Sequence, residues 1–186
     1  MSNLVKIMEE MDYYTSHMVE VGILGIDKDK KPDSEKRKDS KTTILEYAVY
    51  NEFGTKHIPP RPFMRTAIEQ NEAKIQKFID DRTNDVLEGK ITGRQALMQI
   101  GDYIRGLIVL SIKNASKWAK PLSPKTIKIK TKDGQKDRGI LIDERFLLGA
   151  IRYQITSKTG KTVYLSDFKE VQKWQMYSFQ HIFLQM

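Results

Sequence analysis

The chain has 186 residues, 32 Lys and Arg against 24 Asp and Glu, no cysteine, 39% hydrophobic residues and a formal charge of +8. The lack of cysteine excludes disulfides, zinc ribbons, iron–sulfur clusters and thiol nucleophiles. No window approaches the roughly 18 consecutive apolar residues of a membrane span, and Met1-Ser2-Asn3-Leu4 is not a basic stretch leading into an apolar run, so neither membrane span nor signal peptide is expected.

Leu4, Ile7, Met8 and Met11 follow the spacing of one helix face, which predicts a short helix over 3–11. Val19, Val21 and Ile23 alternate, which predicts a strand over 17–24. Residues 26–41 hold Lys, Asp and Ser with no large apolar residue except Ile26, the composition of a mobile loop. Ile44, Leu45, Ala48 and Val49 ahead of Gly54 fit a short helix over 43–53 with a glycine cap, a strand being the alternative. Ile58-Pro59-Pro60-Arg61-Pro62-Phe63 has to be a rigid irregular corner, because its prolines fix φ and remove donors.

From Pro62 a helical stripe (Met64, Ile68, Ile75, Phe78, Ile79, Val86) runs to Gly89 and predicts a single helix. Thr92 with Gln95 spells a capping box, and Ala96, Leu97, Ile100, Tyr103, Ile104, Leu107 and Ile108 predict a helix over 93–114. Residues 122–138 alternate Lys with Ile or Thr before Asp133-Gly134, which suggests an extended arm or hairpin. Asp143 is a candidate cap for a short helix through Ala150. Ile151, Tyr153 and Ile155, a turn at Gly160, then Val163 and Leu165 predict an antiparallel hairpin. The last twenty residues place Phe168, Val171, Trp174, Phe179, Ile182, Phe183 and Met186 near helical spacing, with no Lys, Arg, Asp or Glu after Lys173. Such a stripe packs either on the protein's own core or on a neighbouring subunit.

No catalytic constellation assembles, so no enzyme, metal or cofactor is expected. His17, His57 and His181 are far apart, and Gly22-Ile23-Leu24-Gly25 precedes a charged loop instead of a phosphate-binding helix. Glu9-Glu10 and Asp80-Asp81 read as solvated helix faces. Charge is concentrated in residues 113–138, where nine Lys or Arg face two acids, +7 of the total. That tract is either a solvated loop or a contact for nucleic-acid phosphate, with Lys125, Lys128, Lys130 and Lys132 as the candidates. Trp118 is the one aromatic near it that could stack on a base.

Two stretches carry a family resemblance. Glu46-Tyr47-Ala48-Val49-Tyr50-Asn51-Glu52-Phe53-Gly54-Thr55 followed by Ile58-Pro59-Pro60-Arg61-Pro62-Phe63-Met64-Arg65 resembles the signature of neck and tail-completion proteins of tailed bacteriophages. Pro121-Leu122-Ser123-Pro124-Lys125-Thr126-Ile127, then Leu141-Ile142-Asp143 through Leu147 to Ile151-Arg152-Tyr153, is similar to the family's second signature. Glu144-Arg145 stand where the family usually has Thr-Gly.

The resemblance implies an α+β domain over 17–165, with a small, mostly antiparallel sheet packed with two long helices and extended loops. A helical extension over 1–16 and an apolar carboxy-terminal extension over 166–186 would flank it. It also implies a structural virion protein without enzymatic activity, located in the neck or tail and in the host cytoplasm during assembly. Its expected partners are copies of itself in a sixfold ring, the connector, and tail-tube or terminator proteins, with weak contact to genomic DNA in the lumen. Glu52, Arg61, Phe63, Arg65, Trp174, Phe179 and Phe183 are the expected interface residues. Arg61 either offers a carboxylate a two-pronged bond or decorates a structural corner. Glu52, at the unfavourable end of a short helix, calls for a basic partner such as Arg61 or Arg65. The alternative reading is a small basic nucleic-acid-binding protein acting through 113–138.

Overall fold

The computed structural model describes residues 3–25, 42–131, 140–141 and 146–166. The polar run 26–41, Asp143 and the apolar stripe beyond residue 166 lie outside them. The described chain is α+β: α1 (Asn3–Ser16), β1 (His17–Ile23), α2 (Ile44–Phe53), α3 (Phe63–Glu69), α4 (Glu72–Leu87), α5 (Gly93–Lys113), α6 (Ala115–Trp118), α7 (Pro124–Thr131), α8 (Phe146–Ala150), β2 (Ile151–Ser157) and β3 (Thr162–Leu165). The sheet is antiparallel in the order β1-β2-β3, with Val19 opposite Ile155 and Val21 opposite Tyr153.

α5 is the scaffold, packed against α1, α3, α4 and both long strands. Its start is the expected capping box: Thr92 Oγ1 accepts from the Gln95 N–H at 3.1 Å, and Gln95 Oε1 accepts from the Thr92 N–H at 2.9 Å. Its inward stripe buries Ala96, Leu97, Ile100, Ile108 and Ile112. Alternation does the same for β2, whose Ile151, Tyr153 and Ile155 are 2% exposed or less. The main core lies where α2, α3, α5, α8 and β2 meet, around Phe63, Ile112, Leu147 and Ile151. Each such side chain contributes about 1.5–3 kcal/mol by leaving water.

Three elements differ from the expectation. The first helix continues past residue 11 to Ser16 and joins β1 with no loop; there His17 stacks on Tyr13 at 4.0 Å. The single helix expected from Pro62 to Gly89 is two helices broken at Gln70 and Asn71. Asn71 is the physical reason: its side-chain amide donates to the Ala67 carbonyl at 2.8 Å, offering the backbone a competing local bond. The expected extended arm or hairpin after Leu122 begins as a helix, α7. The Ser123 hydroxyl accepts from the Thr126 N–H at 3.2 Å, and Pro124 fills the first turn, where a missing N–H does no harm.

α1 is fastened along α5 and α4. Glu10 Oε2 accepts from the Gly93 N–H at 2.8 Å, and the Tyr14 and Thr83 hydroxyls pair at 3.0 Å. A Cβ at position 93 would lie 2.2 Å from the Glu10 carbonyl oxygen, so only glycine allows this approach.

Candidate functional site

The residues of the first signature fold into one corner. α2 starts on a capping box in which Thr43 Oγ1 accepts from the Glu46 N–H at 3.2 Å and Glu46 Oε2 accepts from the Thr43 N–H at 2.7 Å. It ends at Gly54, with φ 77° and ψ 174°, a backbone region that is essentially glycine's alone. A Cβ there would sit 2.9 Å from the Pro60 ring. The chain then turns back through Thr55, whose N–H donates to the Ile58 carbonyl at 2.8 Å. It re-enters the fold where the Arg61 N–H donates to the Asn51 carbonyl at 2.6 Å.

Glu52 closes the corner. Its carboxylate accepts from the Met64 N–H and the Arg65 N–H, both at 3.0 Å, and so caps the first turn of α3. The basic partner expected for it is therefore a helix start, in which N–H groups and dipole supply the positive charge. Arg61 is buried, and its Nε donates to the Lys120 carbonyl at 3.1 Å, tying the corner to the end of α6. Burial lowers the pKa of its guanidinium, opposed in part by the charge of Tyr47. Phe63 is wholly buried in the core. These three side chains are turned into the chain's own fold.

Arg65 points outward, its guanidinium 5.8 Å from the Phe53 ring centroid, and Phe53 is 65% exposed. Among the lysines, Lys125 and Lys128 are exposed one turn apart on α7. Lys130 lies on that helix with its side chain outside the described residues, as is all of Lys132. Trp174, Phe179 and Phe183 also lie outside.

Glu10 and Glu52 have jobs that sequence periodicity did not reveal. Each carboxylate caps a helix from another element, and the partner N–H groups are twelve or more residues away in sequence. Asp80 does lie on an exposed face, where it accepts from Gln76 at 2.9 Å. Among the described residues, no group of three or more His, Asp or Glu could hold a metal ion, and no helix is long and apolar enough to cross a membrane. What the corner can do is mechanical: it fixes the angle between α2 and α3 and holds Phe53 and Arg65 rigidly at the surface.

Comparison of the chain with protein-family models, curated proteins and solved structures finds no match.

Proposed function

We propose that this chain is a structural virion protein of a tailed bacteriophage, a neck or tail-completion ring subunit that joins the head connector to the tail. One observation carries the reading: the restricted residues of the resembling segment, Glu52, Gly54, Arg61 and Phe63, close a single internal lock. A resemblance seated in residues that shape the subunit speaks for a shared fold and the role that goes with it.

Rings built head to tail need two different surfaces on each subunit. The described sheet offers two unlike edges, seven-residue β1 and four-residue β3, each paired only with β2 among the described residues. α1 adds an outward apolar stripe, with Leu4 67% and Met8 63% exposed. The decisive experiment is electron microscopy of particles assembled without this chain. Separate heads and tails are expected, and intact joined particles would refute the joining role.

A second reading, a DNA-binding role, has its own observation in Lys125 and Lys128 sharing one exposed side of α7. Retention on random duplex DNA should then fall steeply with salt, and Lys125→Glu with Lys128→Glu should flatten that slope by about two phosphate contacts. No retention at about 0.1 M salt ends this reading.

A further inference from the structure

Glu9, Asp12, Lys56 and Arg65 are all exposed, and among the described residues none of them forms an ion pair. They belong to two surfaces of opposite sign. On α1, Leu4, Met8 and Asp12 recur every fourth residue with Glu9 beside them, an exposed band that is apolar in its first half and acidic in its second. Lys6, the one base of α1, lies about 160° round the helix from Met8. The corner is the counterpart. The Arg65 guanidinium lies against the exposed Phe53 ring, and Lys56 is exposed three residues past that ring. Both acids of α2 are occupied in caps, Glu46 on the Thr43 N–H and Glu52 on the start of α3, while Glu69 is at the far end of α3.

We propose that these two surfaces meet between neighbouring copies of the chain, the α1 band of one copy docking on the Phe53, Lys56 and Arg65 surface of the next. Charge complementarity names the occupant: an apolar patch beside two acids matches an aromatic ring beside two bases. The fold keeps the two apart within one chain. α1 is fastened at Gly93, the first residue of α5, whereas the corner is tied through Arg61 to the Lys120 carbonyl, past the last residue of α5. That helix has 21 residues and is about 30 Å long. Surfaces anchored at its two ends can pair only from copy to copy, in the head-to-tail manner that closes a ring when the rotation per copy allows.

The apolar parts supply the affinity, because Leu4 and Met8 leave water against Phe53, and a thioether packs well on an aromatic ring. Exposed ion pairs add little to that, but they set the orientation and keep like surfaces apart. The inference rests on the ring reading and names the contact between its subunits. Joined particles assembled without the chain would refute the joining role and leave this contact standing, whereas association of the purified chain tests the contact alone.

Sedimentation of the full chain at about 0.1 M salt, where charge beyond about 10 Å is screened, reads that association. Glu9→Lys with Asp12→Lys should weaken it at least tenfold, and so should Lys56→Glu with Arg65→Glu, with the urea midpoint of each variant unchanged. An equimolar mixture of the two variants should recover the lost association, since each then offers the other an opposite surface. A chain carrying all four substitutions, whose net charge is still +8, should recover it as well. A wild-type chain that stays monomeric up to about 1 mM overturns the proposal. So does a variant that associates as the wild type does, or a mixture no stronger than its parts, which would mean that each surface meets something other than its counterpart.

Discussion

A carboxylate in the last turn of a helix faces that helix's own unsatisfied carbonyls, which disfavour it. Glu52 is held there because it accepts two N–H groups at 3.0 Å from the next helix, and bonds to an ionised acceptor are roughly twice as strong as neutral ones. Glu52→Ala should therefore lower stability by about 2 kcal/mol, since it also leaves two partly buried donors without their acceptor. Glu46→Ala, which loses half of an exposed capping box, should cost only about 1 kcal/mol. Urea unfolding of the two variants checks this, and equal losses would mean that the brace is no stronger than an ordinary cap. Gly54→Ala should cost at least about 2 kcal/mol, because the backbone at φ 77° and ψ 174° admits no Cβ without strain and Pro60 already occupies the space. At this scale, sequence shows the special backbone positions well. Gly54 and the prolines announce the corner by composition, but which N–H groups Glu52 meets depends on how α3 returns across the corner, and no local pattern encodes that.

Among the elements, legibility follows how many independent signals agree. α5 has a capping box and an apolar stripe that runs unbroken past Gly101 and Gly106, so its span is readable almost to the residue. The run from Phe63 to Leu87 keeps its apolar stripe across the break, because the stripe reports what faces the core and is indifferent to one local Asn71 bond. α7 misleads in the opposite way. Its alternation of Lys with Ile or Thr looks like a strand, yet the Ser-Pro start is a helix signal, and the short alternating run has no paired strand among the described residues to hold it extended. Ser123→Ala removes the hydroxyl that accepts from the Thr126 N–H and pairs with the Thr126 hydroxyl at 2.8 Å, and should weaken α7 by about 1 kcal/mol, some fivefold faster amide exchange across residues 124–131. α5 should be unaffected. Unchanged exchange in α7 would show that the hydroxyl does not hold its start.

For the molecule as a whole, the joint between helices and sheet is the contact on which both layers depend, and Tyr153 sits in it at 2% exposure. Burial pushes its phenol well above the ordinary tyrosine range, reinforced by the Asp102 carboxylate and a hydrogen bond with Tyr164, with Arg105 pulling the other way. Burial also raises Tyr103. The sign of the consequence is fixed by linkage. An unfolded tyrosine ionises near pH 10, so above that the unfolded chain releases protons that the folded chain retains, and stability falls as pH rises. The contribution is fully present at neutral pH and declines only on the alkaline side, by up to about 1.4 kcal/mol per pH unit for each such tyrosine. The urea midpoint should therefore stay level between about pH 7 and 9 with respect to these groups and drop beyond about pH 10. Tyr153→Phe should be less stable at pH 7, because Tyr164 loses its partner, yet should lose stability less steeply with pH, by about one proton. Because Tyr153 faces α5 from the middle strand of the sheet, its ionisation should unfold both layers together, with circular dichroism and tryptophan fluorescence changing at the same pH. In a Trp174→Phe variant, where Trp118 is the sole tryptophan, a fluorescence change that precedes the loss of helix would instead place the weak point at α6, where the Trp118 indole donates to the Ser111 carbonyl at 3.0 Å, and would make the helix–sheet joint the more resistant part.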